Sequence, residues 1–238
     1  MSAESELLHR LVDQAALTAS GLARADPVEA AGLEQAALRA FVAGAPPSLP
    51  LAVVVRIWRD LMAAARLPIN LAAWGGPEAG SVIDFARLRF GAAAPLILHA
   101  KPEAALAAAR TPGVVAVLAL DDIHAWWGRL LAEPRLKVFA ALPCLASLGP
   151  IAALAVADTR PEPSGNDMTF WVTDVRGPLS AVEAALAAAG VAGELLIQAG
   201  GLRLFALHGF YQEHDPRLAK APGRLSGVIG AASAPLDV

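Results

Sequence analysis

NLAAWGGPEAGSVIDFARLRFG, residues 70–91, is where the pattern of the chain changes. A short apolar run opens it, Gly75-Gly76-Pro77 turns it, and residues 81–90 read as a helix. PLILHA (95–100) reads as a second strand, so the three pieces form a β-α-β unit. Pro102 opens another helix through Arg110, TPG (111–113) is a turn, and VVAVLAL (114–120) is a continuous apolar run of buried-strand type. RLKVFAALPC (135–144) and IAALAVADT (151–159) read as two more strands. This alternation predicts an α/β layer with a largely parallel sheet over residues 69–163.

Upstream, residues 1–68 read as all helical. Leu7, Leu8, Leu11, Ala15 and Leu22 recur at steps of three and four within a helix over 4–24. Asp26-Pro27 is a helix-start signal for a second helix to about Val42. GAPPSLP (44–50) breaks it, and a third helix follows over 51–67. Downstream, TRPEPSGND (159–167) is a polar linker into residues 164–238. There a strand (168–174), a helix (176–190), two strands joined at Gly200-Gly201, a short helical region (215–225) and a last strand (227–235) follow in order. The order β-α-β-β-α-β is that of the ferredoxin-type split βαβ arrangement.

Composition narrows the function classes. Apolar residues make up 56% of the 238 and charged residues 17%, which supplies a core and excludes general disorder. Net charge is −3, and no basic patch of the kind nucleic acid requires stands out. Cys144 is alone, so neither an internal disulfide nor a thiolate metal site follows. The start MSAESELLHR lacks a signal-peptide pattern, and apolar runs break before a membrane span's length. A cytoplasmic protein without cofactor, metal, membrane or nucleic-acid partner is the expectation.

The three stretches in this order resemble the bacterial P-protein: chorismate mutase, prephenate dehydratase and an ACT regulatory domain. VVVRIWRDLMAAAR (53–66) is similar to the third helix of the helical mutases. Residues 70–91 resemble the opening of the dehydratase, with its Gly-Pro-Glu turn and closing Phe-Gly. DVRGPLSAVEAALAAAGV (174–191) and GVIGAAS (227–233) resemble the start and close of an ACT domain. Alphaproteobacterial chorismate mutase-like proteins share a Trp-Trp pair near Trp126-Trp127. The resemblance implies a multi-module α and α/β chain: a helical mutase-like domain (1–68), a truncated dehydratase-like α/β domain (69–163) and an ACT-like domain (164–238). It also implies a homodimer.

Chorismate is a dianion that rearranges without a covalent intermediate, so a mutase needs cations for two carboxylates and a donor to the ether oxygen. The resemblance assigns Arg24 to that donor and Glu34 to the substrate hydroxyl as catalytic residues. Other positions depart from the family. Asp13 stands where it has Arg, Ala30 where it has Asp, and Pro68 or Ile69 where it has an amide. Arg56, Arg59 and Arg66 on the third helix are either a rebuilt anion site or a solvated face. In the dehydratase motif Phe170 is kept, but Met168 and Thr169 replace the Thr and Arg, which argues against that activity. The ACT resemblance places an amino-acid ligand at Gly177, Pro178, Leu179 and Ser180. Its second ligand motif falls on Gln198-Ala199-Gly200-Gly201 and is not kept.

Two further groups stand outside the resemblance. His208, Glu213, His214 and Asp215 suggest either a metal or, more simply, a solvated hairpin end. Asp121, Asp122 and His124 follow a buried strand where α/β folds place binding loops, although an N-cap for a helix carrying Trp126 and Trp127 is the simpler account. Two functions follow. One is a divergent chorismate mutase with weakened or lost activity, binding a chorismate-like anion. The other is a non-catalytic P-protein relative that senses an aromatic amino acid or binds a partner.

Overall fold

The computed structural model describes residues 3–22, 31–43, 50–65 and 68–237. Three helices come first: α1 (Ala3–Leu22), α2 (Ala31–Ala43) and α3 (Leu51–Ala65). On α3 the buried residues Val54, Val55, Trp58 and Met62 recur at helical spacing, while Arg56 and Asp60 on the other face are exposed. Helix α1 packs on α3, and α3 packs in turn on α4 (Ala79–Phe90). Gly91, at φ +90°, ends α4 so close to α3 that a Cβ there would stand 2.6 Å from the Ala63 methyl. Asp60 ties the same junction by accepting the Ala92 N–H at 3.0 Å. The Asp26-Pro27 helix start lies outside the described residues.

The remaining chain builds one mixed nine-stranded sheet with helices, an α/β fold. In chain order the strands are β1 (Asn70–Trp74), β2 (Leu96–Leu98), β3 (Val114–Ala119), β4 (Leu136–Leu142), β5 (Ala153–Asp158), β6 (Asp167–Thr173), β7 (Gly193–Ala199), β8 (Leu202–His208) and β9 (Ser226–Ser233). Helices α5 (Pro102–Ala108) and α6 (Leu179–Ala188) complete the list. Across the sheet the order is β2-β1-β3-β5-β4-β9-β6-β8-β7.

The expected largely parallel sheet is corrected. Only β2-β1-β3 and the β4-β9 pair are parallel; the other neighbours run antiparallel. The cause is connection length. Only residues 143–152 join β4 to β5, short of the helical crossover that parallel neighbours need. The buried runs of β3, β4 and β5 are still mostly apolar, with Lys137 in β4 and Asp158 at the end of β5 as the charged exceptions.

A single seam makes the sheet continuous. Val138 of β4 pairs with Gly230 of β9. Gly230 has φ +147°, and a Cβ on it would lie 2.1 Å from the Val138 carbonyl oxygen. Only glycine admits that approach. Beyond the seam, the second helical region expected at 215–225 is a three-residue 3₁₀ turn, Leu218–Lys220. Pro216, Pro222 and Gly223 bracket it too closely for an α-helix. The expected helix at Trp126 is likewise 3₁₀ (Trp126–Ala132), anchored where the Trp126 indole donates to the Ala119 carbonyl at 2.6 Å.

Candidate functional site

Glu34 occupies the first turn of α2 and is fully buried. Arg59, from α3, donates one guanidinium nitrogen to the Glu34 carboxylate and the other to the Gln35 side-chain oxygen. Arg89, in the last turn of α4, brings a second guanidinium to 3.6 Å from the other Glu34 oxygen. All four side chains are more than nine-tenths buried. Charges removed from water this far hold only because they face each other. The cluster therefore works as a bolt between three helices.

Arg24, the other proposed mutase residue, lies outside the described residues, as does Arg66. Arg10 and Asp13 are exposed on α1, and Arg56 is exposed on α3. Sequence reasoning grouped Arg59 with Arg56 and missed its role. The available signal was spacing: Arg59 sits four after Val55 and three before Met62, on the core side of α3.

Next to this cluster is a cavity of about 30 Å³ lined by Gln35, Arg89, Phe139, Cys144, Glu162 and Ser233, among others. That is room for a water or two. Glu34 itself does not line it.

The ACT-like turn is built differently. Gly177 (φ +113°) and Pro178 (extended, at the N-cap of α6) lead into Leu179 and Ser180 at the start of the helix. Gly177, Pro178 and Ser180 are exposed, and Leu179 is half-buried. Arg203 of β8 fixes the turn by donating to the Gly177 carbonyl at 2.6 Å and to Gln198 Oε1 at 2.9 Å. Beside it Asp174, Val175, Arg176, Gly223 and Arg224 line an open groove of about 690 Å³. Asp174 Oδ1 accepts the amides of Arg224 (2.8 Å) and Leu225 (3.0 Å). The Leu225 amide foremost holds the Asp174 carboxyl below its usual range against desolvation, with lesser help from the Arg224 amide, its own amide and the Arg224 charge.

The dehydratase motif has a structural use. Met168 is buried, and Thr169 Oγ1 donates to the Gly209 carbonyl (2.8 Å) and accepts the Tyr211 N–H (2.9 Å). Among the described residues no group of three His, Cys, Asp or Glu is placed to hold a metal. Glu213 faces Lys137, and Asp215 faces Arg217. No described helix is long and apolar enough to cross a membrane.

The N-cap account of Asp121 is also corrected. The residue at the cap of the Trp126 turn is Ala125, with no side-chain hydrogen bond to it. The Asp121 carboxylate instead accepts the Ile123 and His124 amides and faces the His124 imidazole.

No protein-family model matches the chain, and no curated protein matches it. Among solved structures it is distantly similar to GqqA, described as a novel type of quorum quenching acylases. There the identity is 19%, the TM-score 0.42, and 69% of this chain and 95% of that one are covered. It is also distantly similar to prephenate dehydratase from Streptococcus mutans, at 14% identity and TM-score 0.39, with 69% and 98% covered.

Proposed function

We propose that the chain is a P-protein relative that does not rearrange chorismate and that binds an amino acid at the Gly177–Ser180 turn. The carrying observation is the Glu34–Arg59–Arg89 cluster. A mutase Glu must offer its carboxylate to a substrate hydroxyl, whereas the Glu34 oxygens face two arginines in a dry helix junction. The neighbouring cavity is far smaller than chorismate. The strand order β9-β6-β8-β7 supports the ACT-like reading of the carboxyl-terminal unit. The groove beside the turn offers Asp174 to an ammonium and Arg176 and Arg224 to a carboxylate, the complement of a zwitterionic amino acid. We place the three modules at residues 1–68, 69–163 and 164–238, and the working unit is a homodimer. Exposed Val12, Leu17, Leu33 and Val53 on the three helices are apolar surface for a second copy.

Two measurements test this reading. Purified protein with millimolar chorismate should consume it no faster than the uncatalysed reaction; a clear enzymatic loss of chorismate absorbance overturns the non-mutase part. Phenylalanine, or another member of an amino-acid panel, should raise the melting temperature. At a hundred times Kd the gain is about 2.7 kcal/mol of stability. A flat response across the panel overturns the sensing part.

A further inference from the structure

Asp174-Val175-Arg176 follows β6, and Pro222-Gly223-Arg224 precedes β9. The two strands are antiparallel neighbours with Thr173 opposite Ser226, so both segments lie at the same end of the pair. Their shape is fixed by groups other than the arginine side chains. Thr173 Oγ1 donates to the Pro222 carbonyl at 2.7 Å, and the Asp174 amide donates to the Leu225 carbonyl at 2.9 Å. Asp174 Oδ1 accepts the Arg224 and Leu225 amides. Gly223, at φ +133°, permits this approach, because a Cβ on it would collide with Thr173 Oγ1.

Three charged groups are left over from this frame. Arg176 and Arg224 are exposed, and neither guanidinium donates to a described residue. Asp174 Oδ1 is taken by the two amides, which also favour the ionised carboxyl, while no other described residue donates to Oδ2. All three residues line the open groove of about 690 Å³. The groove therefore offers two cations and one anion. A neutral amino acid brings one carboxylate and one ammonium, and leaves one guanidinium unmatched. An acidic amino acid brings two carboxylates and one ammonium, the inverse of the groove charge for charge. Val175, half-buried, is the one apolar side chain larger than a methyl group among the described lining residues, so an aromatic ring would find little surface to bury.

We propose that the groove selects an acidic amino acid, with Arg176 and Arg224 each taking one carboxylate and Asp174 taking the ammonium. This rests on the amino-acid site proposed at the Gly177–Ser180 turn and names its ligand class. A guanidinium meets a carboxylate through two parallel N–H donors, so a second arginine distinguishes an acid side chain from its amide. The groove is open to water, so the attraction weakens as salt rises.

The test is calorimetric titration of the full chain with glutamate, aspartate, glutamine, phenylalanine and glutarate. Glutamate or aspartate should bind about tenfold more tightly than glutamine or phenylalanine, and the advantage should shrink at high salt. Arg176→Ala and Arg224→Ala should each cost that ligand about tenfold, and the double variant should erase its advantage over glutamine. Asp174→Asn keeps an oxygen for the two amides but loses the charge; it should erase the advantage of glutamate over glutarate, which has both carboxylates and no ammonium. If glutamine or phenylalanine binds as tightly as either acidic amino acid, the ligand class is overturned while the amino-acid site stands. If glutarate binds wild type as tightly as glutamate, the pairing of Asp174 with an ammonium is overturned. An advantage that survives the double variant overturns the assignment to these arginines. If no amino acid binds, this inference and the site it rests on fall together.

Discussion

The helical junction and the turn at 174–180 use the same residue types, acids and arginines, toward opposite ends. At the junction Glu34, Arg59 and Arg89 are sealed in a helix interface and spend their charge on one another. At the turn Arg176 and Arg224 line an open groove with Asp174, and only backbone and neighbouring side chains hold the shape. The difference lies in dielectric and access. A buried ion pair fixes geometry and resists a ligand, because opening it exposes uncompensated charge. An exposed pair contributes little to stability but remains available to bind.

The sharpest way to break that comparison is to cut the buried cluster. Glu34→Gln should cost about 3–5 kcal/mol in denaturant unfolding, because it leaves Arg59 buried without its counter-charge. Replacing both members, Glu34→Leu with Arg59→Met, should cost clearly less than the sum of the single changes. If Glu34→Gln unfolds like wild type, the carboxylate is not bolting the helices and a ligand role for it regains ground.

Much of the fold was legible in the sequence, because periodicity and punctuation are local. The helix over Leu51–Ala65, the strands at Asn70–Trp74 and Val114–Ala119, and the Gly200-Gly201 hairpin all follow from spacing and turn residues. What failed depended on distant partners. The antiparallel β5 is decided by how chain segments return, and the Val138–Gly230 seam by an approach between residues ninety-two apart in sequence. The candidate sites show the same limit. Glu34 could be picked out by resemblance, but its meaning comes from Arg59 and Arg89 on two other helices. Asp121 and His124 were noticed three residues apart, yet their contact depends on a turn geometry that spacing alone leaves open.

A smaller effect is expected at Arg203, which joins β8 to the Gly177 carbonyl. Arg203→Ala should cost about 1 kcal/mol, since the lost bond lies at a partly exposed surface. Its larger consequence should be on binding: the thermal shift given by an amino-acid ligand should shrink well beyond what the stability loss explains. An unchanged shift would mean that the turn holds its shape without this arginine.

The smallest effect, and the one that best separates the two regions, is at Asp174. Its carboxyl titrates below the usual range in the folded chain because the Leu225 and Arg224 amides favour the anion. A depressed folded pKa means that the ionised group stabilises the fold at pH values above the unfolded pKa, roughly 3.9, and that this contribution disappears as pH falls through the folded value. Asp174→Asn should therefore melt slightly below wild type at pH 7, by less than Arg203→Ala does, and the two curves should converge once pH falls through the folded pKa of Asp174. The effect is small because an asparagine oxygen still accepts an amide and because water screens the site. A gap between the curves that persisted in acid would show that the substitution perturbs the turn through shape, and the comparison drawn from charge would then fail on this side.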